Sequence, residues 1–199
     1  SVSRMVESVE FFHSIAPSIR SFHLEPLFEC GRCKTSNAKA PAPSEFLKYA
    51  IQAKEVADKL DISIHYSGSK LGEVHHYFCG AAGKNFFVTP EGNVTTCLEA
   101  CRTEEDKSRI FMVGYYDPNR GSFVFDERKV EVLRVRTVRN IPYCSDCFGK
   151  YSCAGDCLAK VYARSGDLFD PSNNPRCIVN RGILLHDIKK CLKGGKEER

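Results

Sequence analysis

The chain has 199 residues, room for one large domain or two small ones, and its 42% hydrophobic and 27% charged content is that of an ordinary folded protein. A formal charge of +4 with scattered Lys and Arg offers no basic stripe for nucleic acid, and no apolar run is long enough to span a membrane. The amino-terminal SVSRMVESVEFF carries Glu7 and Glu10 inside its apolar stretch, so it does not read as a signal peptide, and the expected location is cytoplasmic.

Residues 3–15 place Met5, Val6, Val9, Phe12 and Ile15 on one helical face, and Pro17 ends the pattern. Residues 21–27 predict a buried strand, and residues 30–43 a loop. Ser44 is the expected N-cap of a helix to Leu60, with Phe46, Leu47, Ala50, Ile51, Ala57 and Leu60 on its core face. Residues 61–67 alternate like a second strand. Helix, strand, helix, strand is a fragment of a parallel α/β fold, too short to close a sheet or barrel alone.

From about Leu71 the texture changes. Residues 85–96 predict a hairpin around Pro90-Glu91-Gly92-Asn93, and residues 115–125 a second one turning at residues 117–121. A short helix is expected over residues 127–136, a further helix over 181–192, and a frayed tail over 193–199. The predicted class is therefore α+β, with an α/β fragment at residues 1–70 and a cysteine-rich domain with β-hairpins and metal-binding loops at residues 71–192.

Eleven cysteines are an odd number, and in the cytoplasm paired cysteines favour metal or redox chemistry over structural disulfides. Seven of them lie close together: Cys79-x12-Gly92-x4-Cys97, Cys144-x2-Cys147-x5-Cys153-x3-Cys157, then Cys177. Cys-x2-Cys lets one turn present two sulfurs to one metal centre. Cys153-x3-Cys157 is read as either one helical turn or a loop that sends its two sulfurs to different centres. Gly92 at a hairpin apex would bring Cys97 back beside Cys79. Gly80, Gly149 and Gly155 would allow close backbone approach and N–H donation to sulfur. On spacing alone, two zinc sites of four-cysteine type remain an alternative to iron–sulfur clusters.

This pattern of seven cysteines and one glycine resembles the SPASM domain of radical S-adenosylmethionine enzymes, a family that includes sulfatase and peptide maturases. The likeness covers roughly residues 79–180, and the words around Cys79-Gly80 and Lys150-Tyr151-Ser152-Cys153-Ala154-Gly155-Asp156-Cys157 are similar to it. It implies two auxiliary [4Fe–4S] clusters, one held by Cys79, Cys97 and Cys157 and the other by Cys144, Cys147, Cys153 and Cys177. Cys101 is the candidate fourth ligand of the first. A sulfatase maturase usually has an extra cysteine soon after the first motif cysteine, and the stretch between Cys79 and Cys97 contains none.

The family's catalytic Cys-x3-Cys-x2-Cys triad is missing. Cys97-x3-Cys101 meets Glu104 where the third cysteine belongs, and Cys30-x2-Cys33 has Pro26 where the first belongs. The expectation is that residues 1–70 are the last units of a partial (β/α)6 barrel and that the chain is the C-terminal part of a longer enzyme. That enzyme would use S-adenosylmethionine, which this chain alone would not cleave. The resemblance further implies a peptide or protein substrate, the N-terminal radical domain as an intramolecular partner, and ferredoxin or flavodoxin as reductant. A zinc-stabilised binding module and a ferredoxin-like electron carrier are the other readings.

Cys30 and Cys33, at the mouth of the expected barrel, are candidates for substrate contact or a redox pair, weighed against two loop thiols. His75 and His76 read as surface or hinge residues rather than ligands, and Cys191 as a buried thiol. Glu25 closes a barrel strand. Asp146, Lys150 and Asp156 read as solvated loop residues among the ligands.

Overall fold

The computed structural model describes residues 2–29, 33, 36–104 and 106–194. Cys30 and residues 195–199 of the expected tail lie outside them. The fold is mixed α+β and divides into two compact units, Ser1–Gly72 with Pro175–Arg199, and Glu73–Asn174.

In the first unit, helix α1 (Met5–Ile15) packs on α2 (Pro43–Lys59), and strands β1 (Ser21–His23) and β2 (Ser63–His65) pair in parallel. A parallel pair needs a crossover, and α2 supplies it. The strands are shorter than the alternation suggests. Leu24 still donates to His65 O, but Pro26 has no N–H to extend the ladder. Helix α2 opens with Pro43 at its first position after Ala42, not with Ser44 as cap, because proline's fixed φ suits a first turn whose N–H has no helical partner.

The C-terminal helix α7 (Arg176–Gly194) starts five residues before the expected position, immediately after Pro175. It packs on α2, where its Val179 and Ile183 join Phe46, Ala50 and Tyr66 in one core. The expected cysteine-rich domain runs through residue 192. This core instead groups α7 with the first unit. Cys191, expected to be buried, is exposed on α7.

A polar network joins α7 to the C-terminal ends of β1 and β2. Arg176 Nη1 donates to Glu25 Oε2 at 3.0 Å and Nη2 to Ser67 Oγ at 3.2 Å, with the guanidinium over the Tyr66 ring. Ser67 N–H also donates to Glu25, and Tyr66 donates to Asn180 Oδ1 at 2.7 Å. Desolvation alone would push the Glu25 carboxyl up, but Ser67 and the Arg176 charge outweigh it and hold it below its usual 4.5. The stability it contributes is present above that value and is lost as pH falls through the lowered one. Glu25→Gln is expected to cost about 1–3 kcal/mol at neutral pH, from an ion pair broken beside a buried Arg176. Urea melts from pH 7 to pH 3 should show the variant and parent converging at the acid end; a constant difference would contradict the ion-pair account.

The second unit is built on an antiparallel sheet in the order β3 (Phe87–Val88), β4 (Asn93–Thr95), β5 (Met112–Asp117), β6 (Ser122–Phe125). Gly92, at φ +82, makes the first turn, and residues 117–121 make the second. The short helix α3 (Ser108–Phe111) leads directly into β5, whose pairing with β4 merges both expected hairpins into one sheet. Asp126 caps α4 (Glu127–Arg134) by accepting from Lys129 N–H. Two further helices, α5 (Lys150–Cys153) and α6 (Leu158–Ser165), frame the last cysteines of the unit. Phe111, Val113, Val130, Leu133 and Leu158 form the core against which Cys97 and Cys157 pack.

Candidate metal centre

Each cysteine of the second unit sits on a turn that its neighbours fix. Cys79 is exposed and opens a tight turn in which Gly80 O accepts from both Lys84 and Asn85 N–H. Cys97 follows β4. Its N–H donates to Thr95 Oγ1 at 3.2 Å, and the fully buried Thr95 hydroxyl shares its proton between Cys97 O and Ala100 O, both at 3.1 Å. The 97–101 turn is thereby held. Cys101 turns its Sγ back onto Leu98 O at 2.9 Å.

Cys144 is buried at the end of a 3-10 turn, and Cys147 N–H donates to Cys144 O at 3.2 Å. The Cys144–Cys147 segment is thus a tight turn. Cys153 is the last residue of α5, and Cys157 is the N-cap residue of α6. Between them Ala154, Gly155 and Asp156 all adopt positive φ, at 51°, 77° and 63°. Of the two sequence readings of this segment, a helical turn and a loop, the structure has the loop.

Burial pushes the Cys97 thiol up to about 11, helped by the charges of Glu99 and Cys79 and opposed by the Glu99 backbone N–H and Lys107. Burial likewise pushes Cys157 up to about 12, against the Lys160 backbone N–H, with Glu99 and Asp156 raising it further. Cys79 therefore lies within electrostatic reach of Cys97, and Glu99 within reach of both Cys97 and Cys157. The Glu99 and Lys160 backbone amides act on these two sulfurs in the sense opposite to burial. Burial thus keeps both thiols in their neutral form at neutral pH.

In the metal-free chain, the stability tied to these thiols is fully present below the unfolded value of about 9. It is lost as pH rises through 11 and 12. Denaturant midpoints of chelated protein should fall over that range, and a Cys97→Ala, Cys157→Ala double variant should flatten the fall. An equal fall in parent and variant would contradict the assignment.

One residue of this region carries no signal in the cysteine spacing. Arg136 is fully buried. Its Nε donates to Leu168 O at 3.0 Å, Nη1 to Ala154 O and Asp156 O at 3.2 Å each, and Nη2 to Gly155 O at 2.7 Å. Burial pushes its guanidinium down from the ordinary value, opposed by the charges of Cys144, Asp156, Cys153 and Cys157.

Asp156 is not a solvated loop residue: it is buried and accepts from Asn174 Nδ2 at 2.6 Å. Asp146 is exposed, and Lys150 Nζ donates to Ser145 O at 2.8 Å. His75 Nε2 lies 2.6 Å from Glu73 Oε2, the His75 backbone N–H donates to Tyr151 O, and His76 stacks edge-on with the Tyr151 ring. Both histidines thus brace the segment that carries α5. Glu25 and Cys177 belong to the first unit, Glu25 in the network with Arg176 and Cys177 on the first turn of α7, where its carbonyl accepts from Arg181 Nε at 3.0 Å. Cys33 is half-buried.

Every described cysteine is a thiol rather than half of a disulfide. Among the described residues, no three His, Cys, Asp or Glu side chains converge at metal-binding distance. Among them also, no helix is long and apolar enough to cross a membrane.

No family model matches the chain. An uncharacterized protein of Archaeoglobus fulgidus is 30% identical over 116 residues, which is 58% of this chain. The match spans 26% of that protein's length.

Proposed function

We propose that this chain is the iron–sulfur-binding C-terminal module of a radical S-adenosylmethionine enzyme that modifies a peptide or protein. The observation that carries the reading is the seven-cysteine spacing; beside it, the charge of Cys79 acts on Cys97, and Glu99 acts on both Cys97 and Cys157. Cys79, Cys97 and Cys157 would hold one [4Fe–4S] cluster, with Cys101 as candidate fourth ligand. Cys144, Cys147, Cys153 and Cys177 would hold the other. When bound, such clusters supply one-electron uptake and relay, or an open iron for substrate.

The chain's own residues supply the surroundings. Thr95 fixes the Cys97 turn, and the Glu99 and Lys160 backbone amides favour the ionised sulfurs of Cys97 and Cys157. The first unit, with two parallel strands joined by α2, would be the last part of a partial barrel in the whole enzyme. The radical domain, S-adenosylmethionine and an external reductant such as ferredoxin or flavodoxin belong to the whole enzyme.

The test is the visible spectrum of protein purified and reconstituted with iron and sulfide without oxygen. A broad brown absorption that bleaches on reduction is expected. Protein that stays colourless after reconstitution would overturn the reading.

A further inference from the structure

In a continuous helix, Cys153 and Cys157 would stand four residues apart on one face, with their sulfurs directed to one centre. The chain prevents this. After α5 the Ala154, Gly155 and Asp156 backbones all enter the left-handed region, and a new helix begins at Cys157. For Ala154 and Asp156 that conformation costs roughly 1–2 kcal/mol each. A run of three such residues persists only where its surroundings impose it.

Arg136 imposes it. In a helix the carbonyls of residues 154, 155 and 156 would serve later amides of the same helix. Here all three turn to one side, and the guanidinium fork meets every one of them while its Nε anchors to Leu168 O. Planar donors in fixed directions are what a single ammonium cannot reproduce. Gly155 seals the arrangement, since a Cβ there would overlap Ile141 Cδ1 and press on Nη1.

We propose that Arg136 is a positioning residue that separates Cys153 from Cys157, so that one Cys-x3-Cys pair serves two different metal centres. The proposal rests on the reading of these cysteines as ligands of two iron–sulfur clusters. It assigns to a residue outside the cysteine motif the crossing of ligands between them.

The test compares iron per chain in three anaerobically prepared proteins: the parent, Arg136→Lys, and Arg136→Lys combined with Ala154→Gly. Lysine keeps the charge and loses the fork, and iron is expected to fall at least twofold. Glycine at 154 removes a left-handed penalty from the turn itself. The double variant is therefore expected to recover iron, which a residue that merely filled the core would not allow. Iron in Arg136→Lys equal to the parent, or a double variant as depleted as Arg136→Lys whether folded or not, overturns the proposal. A parent without iron overturns the iron–sulfur reading itself, and the proposal with it.

Discussion

Substituting serine for both Cys153 and Cys157 is expected to strip nearly all iron from the protein, whereas substituting both Cys79 and Cys157 should remove only about half. The asymmetry follows from the crossing. If Cys157 completes the site of Cys79 and Cys97, then Cys79→Ser and Cys157→Ser damage one centre, and the second substitution adds little to the first. Cys153 serves the other centre, so its loss is independent. With about four iron per cluster, the single variants should each hold about four iron per chain, the Cys79, Cys157 pair about four, and the Cys153, Cys157 pair close to none. Iron and sulfide analysis of these proteins, each prepared without oxygen, reads the result directly. The reverse pattern, about half the iron lost from the Cys153, Cys157 pair and nearly all from the Cys79, Cys157 pair, would place Cys153 and Cys157 on one centre and contradict the separation made by the left-handed turn.

The second large effect concerns stability. Gly155→Ala is expected to lower the unfolding free energy by about 2–4 kcal/mol, a left-handed penalty plus overpacking. The residue sits at φ +77, and a Cβ would strike Ile141, itself buried beside Cys144. Gly166 provides the control. It ends α6 at φ +72, with nothing within 4 Å of the place a Cβ would take. Gly166→Ala should therefore show the left-handed cost alone, about 1–2 kcal/mol. Urea denaturation of both variants separates the terms. Equal losses would mean that the 153–157 turn is not packed as described.

Much of the fold is legible in the sequence because its signals are local. The apolar period of residues 3–15 and 44–60 finds α1 and α2, and Pro90-Glu91-Gly92-Asn93 marks the first hairpin turn. The merger of the two hairpins is not legible, since it depends on α3 delivering the chain into β5 beside β4. The start of α7 is missed because its first turn reads as loop after Pro175, and only packing against α2 commits it to helix. At the candidate site, spacing locates the cysteines but not what orients them. Arg136 lies upstream of Cys144, Cys153 and Cys157, among other scattered basic residues, and only tertiary structure sets it under the 154–156 carbonyls. Asp156 looks like a solvated acid for the same reason, since its partner Asn174 comes from a distant part of the unit. An acid or a guanidinium in a loop carries no mark of burial in the sequence.

The central claim is that these cysteines hold iron–sulfur clusters, and its most direct test is the iron, sulfide and zinc content of protein purified without oxygen. About eight iron and eight sulfide per chain is the expected result, corresponding to two [4Fe–4S] clusters. About two zinc with no sulfide, unchanged after reconstitution with iron and sulfide, would contradict the claim and leave a zinc-stabilised module.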